Sequence, residues 1–201
     1  MWNVLRLYIH KIKDMLRIYF VAILCLGFKV KRAEVSINVN KDSLYNQQVK
    51  IFINDIYAEK LKSKGSVLIE EPQSRYDLKY SDTSFFTKEE LSSIKKQVEN
   101  PKVESWRNII GTNMKCIDKD SLNRILNKKY LRLYNGWDYF YKYVGNDIYN
   151  FSSPIFIRNY QYCIFYSEIN CGFKCASGEL YLYRKENEKW KKFRLLYSWI
   201  S

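Results

Sequence analysis

Few side chains in this sequence can do chemistry, and their spacing limits what they can do. Cysteines stand at 25, 116, 163, 171 and 175. The run Cys171-Gly172-Phe173-Lys174-Cys175 puts two of them across a short connection, where they can reach the Cα separation of roughly 4.4–6.8 Å that a disulfide needs. Two readings fit this pair: a structural disulfide in an oxidising compartment, or reduced thiols that are simply buried. The spacing is C-x3-C rather than the C-x-x-C of redox motifs. A zinc site would want four N/S ligands, with no histidine nearby to supply one, so no metal is expected. Cys116 and Cys163 stay open, as a second bridge or as separate thiols.

The single histidine is His10. It precedes Met15 and lies in a segment that the mature chain need not keep, so Ser-His-Asp and Cys-His catalysis have no imidazole base to use. Carboxylates remain. Glu70, Glu71, Asp77, Asp82, Asp138 and Glu168 fall outside obvious helix surfaces, and two facing carboxylates can hydrolyse a glycosidic bond. Nothing in their spacing pairs them. Neither G-x-x-x-x-G-K-[ST] nor G-x-G-x-x-G occurs, so no nucleotide cofactor is expected. Catalytic residues and cofactors are therefore both read as none.

Aromatic residues make up 17% of the chain, 18 of them Tyr. Trp137, Tyr139, Tyr141, Tyr162 and Tyr181 form a candidate binding surface, since Tyr presents a flat apolar body with a polar tip suited to carbohydrate or peptide. Tyr160, Tyr162, Tyr181 and Tyr183 are expected to line one sheet face. The plainer reading is that Tyr fills half-buried strand positions, where aromatics are favoured anyway.

The chain has 201 residues, a length that suits one domain, and a net charge of +13. Six of those charges lie in residues 1–33, where Arg6, Lys11, Lys13, Arg17, Lys29, Lys31 and Arg32 face only Asp14. No run of five basic residues occurs, which disfavours a nucleic-acid partner. Ile18 to Phe28 is free of charge but too short to span a bilayer, which takes about 20 residues. It fits the apolar core of a secretory signal, with Met1 or Met15 as the start and membrane contact through residues 16–28. A buried or surface helix and a lipoprotein signal at Cys25 are the other readings of this segment. Residues 34–41 read as a linker and 42–201 as a single α+β domain.

The elements that must position these residues follow from pattern. Asp42 or Ser43 can cap a helix carrying Val49, Phe52, Ile53 and Ile56 on one face, with Gly65 as its stop. Ser66 to Ile69 reads as a short strand. Thr87 and Glu90 form a capping box, and Leu91, Ile94 and Val98 continue that helix until Pro101 ends it. Asp120 or Ser121 opens a short helix with Leu122, Ile125 and Leu126 inward. Gly136 to Tyr141 is helical or extended. From Phe151 the texture turns to β-rich runs at Pro154–Ile157, Tyr160–Tyr166, Leu180–Tyr183 and Trp190–Ile200, with a tight turn at Asn187-Glu188. This predicts α+β: N-terminal helices packed on a C-terminal antiparallel meander of about four strands. Phe156, Phe165, Leu182, Trp190 and Trp199 are expected in its core.

The order Trp137-x-x-Phe140-Tyr141, Ser152-x-Pro154, Cys171-Gly172-x-x-Cys175, Lys189-Trp190-Lys191 and Trp199-Ile200-Ser201 resembles a group of small exported bacterial proteins that close on W-I-S. The resemblance covers about residues 137–201. It implies a fold and a location but no activity, and other members can carry small residues where this chain has Cys171 and Cys175. The expected function is that of an exported (periplasmic, secreted or membrane-anchored) or envelope-associated protein, a non-catalytic binding domain for an envelope component, carbohydrate or peptide. The alternatives are a His-independent carboxylate enzyme such as a carbohydrate hydrolase, and a basic cytoplasmic binder of an anionic partner.

Overall fold

Thr87 and Glu90 close the capping box that the sequence predicts: the Glu90 N–H donates to Thr87 Oγ1 at 3.2 Å and the Thr87 N–H to Glu90 Oε2 at 3.0 Å. A second box joins Asn135 and Asp138. It selects helix over strand for the aromatic run that follows, because it satisfies N–H groups the first turn leaves orphaned. Asp118, rather than Asp120 or Ser121, caps the short helix between these regions.

A computed structural model describes residues 41–74, 83–110, 114–128 and 135–201. The order is α1 (Lys41–Leu61), β1 (Ser66–Ile69), α2 (Lys88–Glu99), α3 (Trp106–Ile110), β2 (Lys115–Ile117), α4 (Lys119–Asn127), α5 (Gly136–Tyr143), β3 (Asp147–Phe151), β4 (Ile155–Ile157), β5 (Tyr162–Gly172), β6 (Cys175–Glu186) and β7 (Lys189–Ile200). The expectations for the signal segment, the linker up to residue 40, His10 and Cys25 lie outside the described residues. Among those residues, no helix is long and apolar enough to cross a membrane.

The fold is α+β, but its sheet is larger than the predicted meander. Seven strands run in the order β2-β1-β3-β5-β6-β7, with β4 beside β5. The meander is the β5–β6–β7 part. β1 adds to it by pairing parallel with both β2 and β3. β2 and β3 escape pattern reading because Lys115–Ile117 and Asp147–Phe151 mix polar with apolar residues and lack the uninterrupted apolar run of Val67–Ile69 or Ile155–Ile157. β3 and β4 lie end to end along the same edge of β5, and the Ser152-x-Pro154 motif forms the corner between them. Pro154 has no N–H to give a ladder. Ser152 Oγ instead accepts the Tyr166 N–H at 2.9 Å, and the Tyr45 hydroxyl on α1 donates to the Pro154 carbonyl at 2.7 Å.

Helices cover both faces of the sheet. Phe52 of α1 is fully buried and meets Phe165, Tyr183 and Trp190 edge-on at 5.0, 4.9 and 5.5 Å, a geometry favoured by the ring quadrupoles. On the opposite face Ile94 of α2 packs with Ile164, Leu180 and Leu182, while Leu122 and Phe140 of α4 and α5 cover Val67 and Ile148. β5 is thus apolar at both parities, as a strand covered on two sides must be. Of the expected core, Phe165, Leu182 and Trp190 are buried, whereas Phe156 and Trp199 are partly exposed.

Candidate functional site

Alternation along β5 sends Phe165, Ser167 and Ile169 to the α1 face, opposite Tyr181, Glu179 and Ser177 of β6. Past the aromatic cluster around Phe52, this face turns polar. The Tyr57 hydroxyl of α1 donates to Ser167 Oγ at 2.9 Å and lies 3.3 Å from the Tyr183 hydroxyl. Lys192 of β7 pairs with Glu179 at 2.7 Å and sits 4.0 Å over the Tyr181 ring. Tyr57, Ser167, Glu179 and Lys192, together with Ile56, Lys60, Tyr149 and Ser177, line a cleft of about 160 Å³ between α1 and the sheet.

Burial pushes the Tyr57 phenol up, with the Glu179 charge adding to it, and burial likewise raises Tyr183. Both therefore stay neutral hydrogen-bonding groups at physiological pH. The cleft offers hydroxyls that can donate and accept, a carboxylate that accepts, and ammonium groups that donate. It is equipped to hold a small polar molecule by several directed hydrogen bonds.

A second polar chain lies on the other face. Trp199 Nε1–H donates to the Tyr166 hydroxyl at 3.0 Å, and that hydroxyl meets Glu168 Oε2 at 3.3 Å. Gly178 makes this approach feasible, since a Cβ there would overlap both Trp199 Nε1 and the Tyr166 hydroxyl. Burial raises the Glu168 carboxyl and takes Tyr166 up to about 12. Glu168 borders the cleft, but its side chain is committed to Tyr166 on the opposite face. Glu168 and Glu179 thus stand at opposite strand parities, and Glu179 is paired with Lys192.

The remaining carboxylate candidates have other partners. Glu70 is bound by Arg107 at 2.7 Å and by the Ser105 hydroxyl at 2.8 Å, and these hold its carboxyl below the usual range. Glu71 accepts the Lys119 N–H. Asp138 closes its capping box. Asp77 and Asp82 lie outside the described residues.

The five aromatic candidates do not form one surface. Trp137 and Tyr141 stack on α5 at 5.7 Å, and Tyr139 stacks on Tyr143 at 4.7 Å. Tyr162 packs against Phe85 at 5.2 Å, whereas Tyr181 lies near Tyr183 on the opposite face of the sheet. The expected single face of Tyr160, Tyr162, Tyr181 and Tyr183 fails because Tyr162 pairs with Arg184, which sets it at the parity opposite Tyr181 and Tyr183.

Cys171 and Cys175 are joined as a disulfide, Cα to Cα 5.1 Å. Cys116 and Cys163 are separate thiols, Cys163 fully buried. Among the described residues no cluster of three or more His, Cys, Asp or Glu could hold a metal.

Sequence reading missed Tyr57, Lys60, Ser167, Ser177, Glu179 and Lys192. They come from four elements, and only the register brings them together. One signal was present: Ser167 and Glu179 interrupt otherwise apolar parities beside Phe165 and Tyr181. Two larger recesses, of about 830 Å³ between α4 and α5 and about 520 Å³ between α1 and α3, lack such convergent buried hydroxyls. No family model, curated protein or solved structure matches this chain.

Proposed function

We propose that the chain is an exported, envelope-associated, non-catalytic domain that binds a neutral carbohydrate unit in the cleft between α1 and the sheet. The observation that carries this reading is the convergence of Tyr57, Ser167, Glu179 and Lys192 on one small recess. A sugar hydroxyl both donates and accepts, and the recess supplies both kinds of partner. The Tyr149 ring adds flat apolar surface of the kind a sugar ring packs against. The carboxylates nearest the cleft belong to opposite sheet faces, which supports binding without turnover.

The Cys171–Cys175 disulfide supports export, because such bonds persist in oxidising compartments. The uncharged run of residues 18–28 and the resemblance of residues 137–201 to small exported proteins support the same location. Much of the basic surface of the sheet is neutralised locally, by Lys189–Asp55, Lys191–Glu186, Lys192–Glu179 and Arg158–Glu90 pairs. This disfavours the reading as a binder of an anionic polymer.

Two experiments test the proposal. A C-terminal fusion to a reporter active only outside the cytoplasm is expected to be active, and an inactive fusion removes the export claim. Calorimetry with a panel of neutral oligosaccharides is expected to find a ligand whose affinity falls roughly tenfold in Glu179→Gln, the scale of one charge-assisted hydrogen bond. An affinity unchanged by that substitution removes the cleft.

A further inference from the structure

The tip of the β5–β6 hairpin is built in an unusual way. The disulfide closes it at Cys171 and Cys175, and Gly172 turns the chain with φ +138°, a conformation other residues rarely adopt. The Tyr141 hydroxyl of α5 then donates to the Cys171 carbonyl at 2.6 Å, tying the tip to the helix. A staple, a turn and a latch thus fix a loop whose central residue, Phe173, is 78% exposed. Holding a large apolar side chain rigidly in water gains nothing for folding; it removes the ordering cost of burying that side chain elsewhere.

The surroundings indicate what covers it. Tyr141 is itself 42% exposed and stacks on Trp137; Lys174, next to Phe173 in the tip, and Lys142, next to Tyr141 on α5, are exposed. Aromatic rings with polar tips, one protruding Phe and flanking lysines match the layered chemistry of a lipid interface. There, rings settle at the headgroup level while ammonium groups stay near phosphates.

We infer that this stapled tip docks the domain on an anionic lipid bilayer, with Phe173 entering the headgroup region and Lys174 and Lys142 facing the lipid phosphates. The inference rests on the envelope reading only for where such a bilayer is met. Tyr141 positions the tip through the Cys171 carbonyl, so the helix and the hairpin are held together at this end. Each lysine near an anionic surface adds favourable attraction that salt screens.

The test uses the full chain in bicelles carrying a headgroup-chelated gadolinium lipid, read by amide NMR. In bicelles containing phosphatidylglycerol, the Gly172, Phe173 and Lys174 signals are expected to broaden strongly, while those of Asn187 and Glu188, at the far end of β6, stay sharp. In pure phosphatidylcholine the tip broadening is expected to fall severalfold. Phe173→Ala should cut tip broadening about tenfold, the order expected from withdrawing one aromatic side chain from an apolar phase; Phe173→Leu should retain most of it. Tip signals as sharp as those of Asn187 and Glu188 overturn the inference, whether or not the chain rides on the bicelle by another segment, and leave a protein pocket as the occupant of Phe173. Equal broadening in both lipids overturns the anionic assignment. The reporter fusion is independent of this result, so a failure of export and a failure of docking are told apart.

Discussion

The Tyr57 hydroxyl on α1 and Ser167 Oγ on β5 are hydrogen-bonded at 2.9 Å across 110 residues of sequence. This bond joins the first described helix to the central strand and forms the inner wall of the cleft. Tyr57→Phe removes the donor and leaves the aromatic packing on Phe151 and Phe165 in place. The expected cost is about 1 kcal/mol in chemical denaturation, the usual net worth of one hydrogen bond, with oligosaccharide binding weakened as well. A loss above about 3 kcal/mol would mean that removing this hydroxyl leaves further buried polar groups unsatisfied, the Tyr183 hydroxyl among them.

Gly178→Ala tests the other face. A Cβ at this position would overlap both Trp199 Nε1 and the Tyr166 hydroxyl. The expected loss is about 1–3 kcal/mol, the scale of overpacking, with a change in Trp199 fluorescence as the indole moves. Unchanged fluorescence at full stability would show that a Cβ is accommodated here without moving the indole.

The Cys171→Ser/Cys175→Ser variant opens a very short loop, for which the chain-entropy treatment gives about 2 kcal/mol. Thermal unfolding is expected to show this loss under non-reducing conditions. The wild type in strong reductant should match the variant.

Asn187 and Glu188 form the β6–β7 turn, both with positive φ, 49° and 62°. A glutamate in that region costs of order 1 kcal/mol, which glycine avoids. The Lys185–Glu188 pair is surface-exposed on the Glu side and contributes little. Glu188→Gly is therefore expected to stabilise by roughly 0.5–1 kcal/mol in denaturant midpoint at unchanged slope, and a destabilised variant would show that the ion pair outweighs the backbone.

Titrations of opposite sign are expected at Glu168 and Glu90. Burial raises Glu168, so the folded protein keeps that proton longer than the unfolded chain. Its stabilisation is full below the ordinary carboxylate range, about 4.3 for Glu, and is lost as pH rises through the raised folded value. Arg158 lowers Glu90, whose contribution is full above the ordinary range and is lost as pH falls through the lowered value. Thermal unfolding across acid pH is expected to show Glu168→Gln gaining on the wild type as pH rises, and Arg158→Ala approaching it as pH falls. The reverse order would contradict the assigned environments.

Local signals in the sequence were sufficient where they were self-contained. The Thr87–Glu90 box, the stripe of Val49, Phe52 and Ile53, the strands from Ile155 onward and the Asn187-Glu188 turn each depend on residues within a few positions of one another. The parallel pairing of β1 with β2 and β3 depends instead on segments more than forty residues apart. No period in Lys115–Ile117 announces it. The cleft was illegible for the same reason: Tyr57, Ser167 and Lys192 become neighbours only through the register of β5, β6 and β7 and the seating of α1. The Cys171–Cys175 pair was legible because closeness in sequence already implied closeness in space.

The binding cleft is tested most directly by an amide NMR titration of the full chain with the neutral oligosaccharide panel. Saturable shifts at Ser167, Ser177, Glu179 and Lys192 are expected, with the sugar recovered uncleaved. Shifts confined to other parts of the sheet, or a sugar returned as hydrolysis products, would contradict a non-catalytic binding cleft at this site.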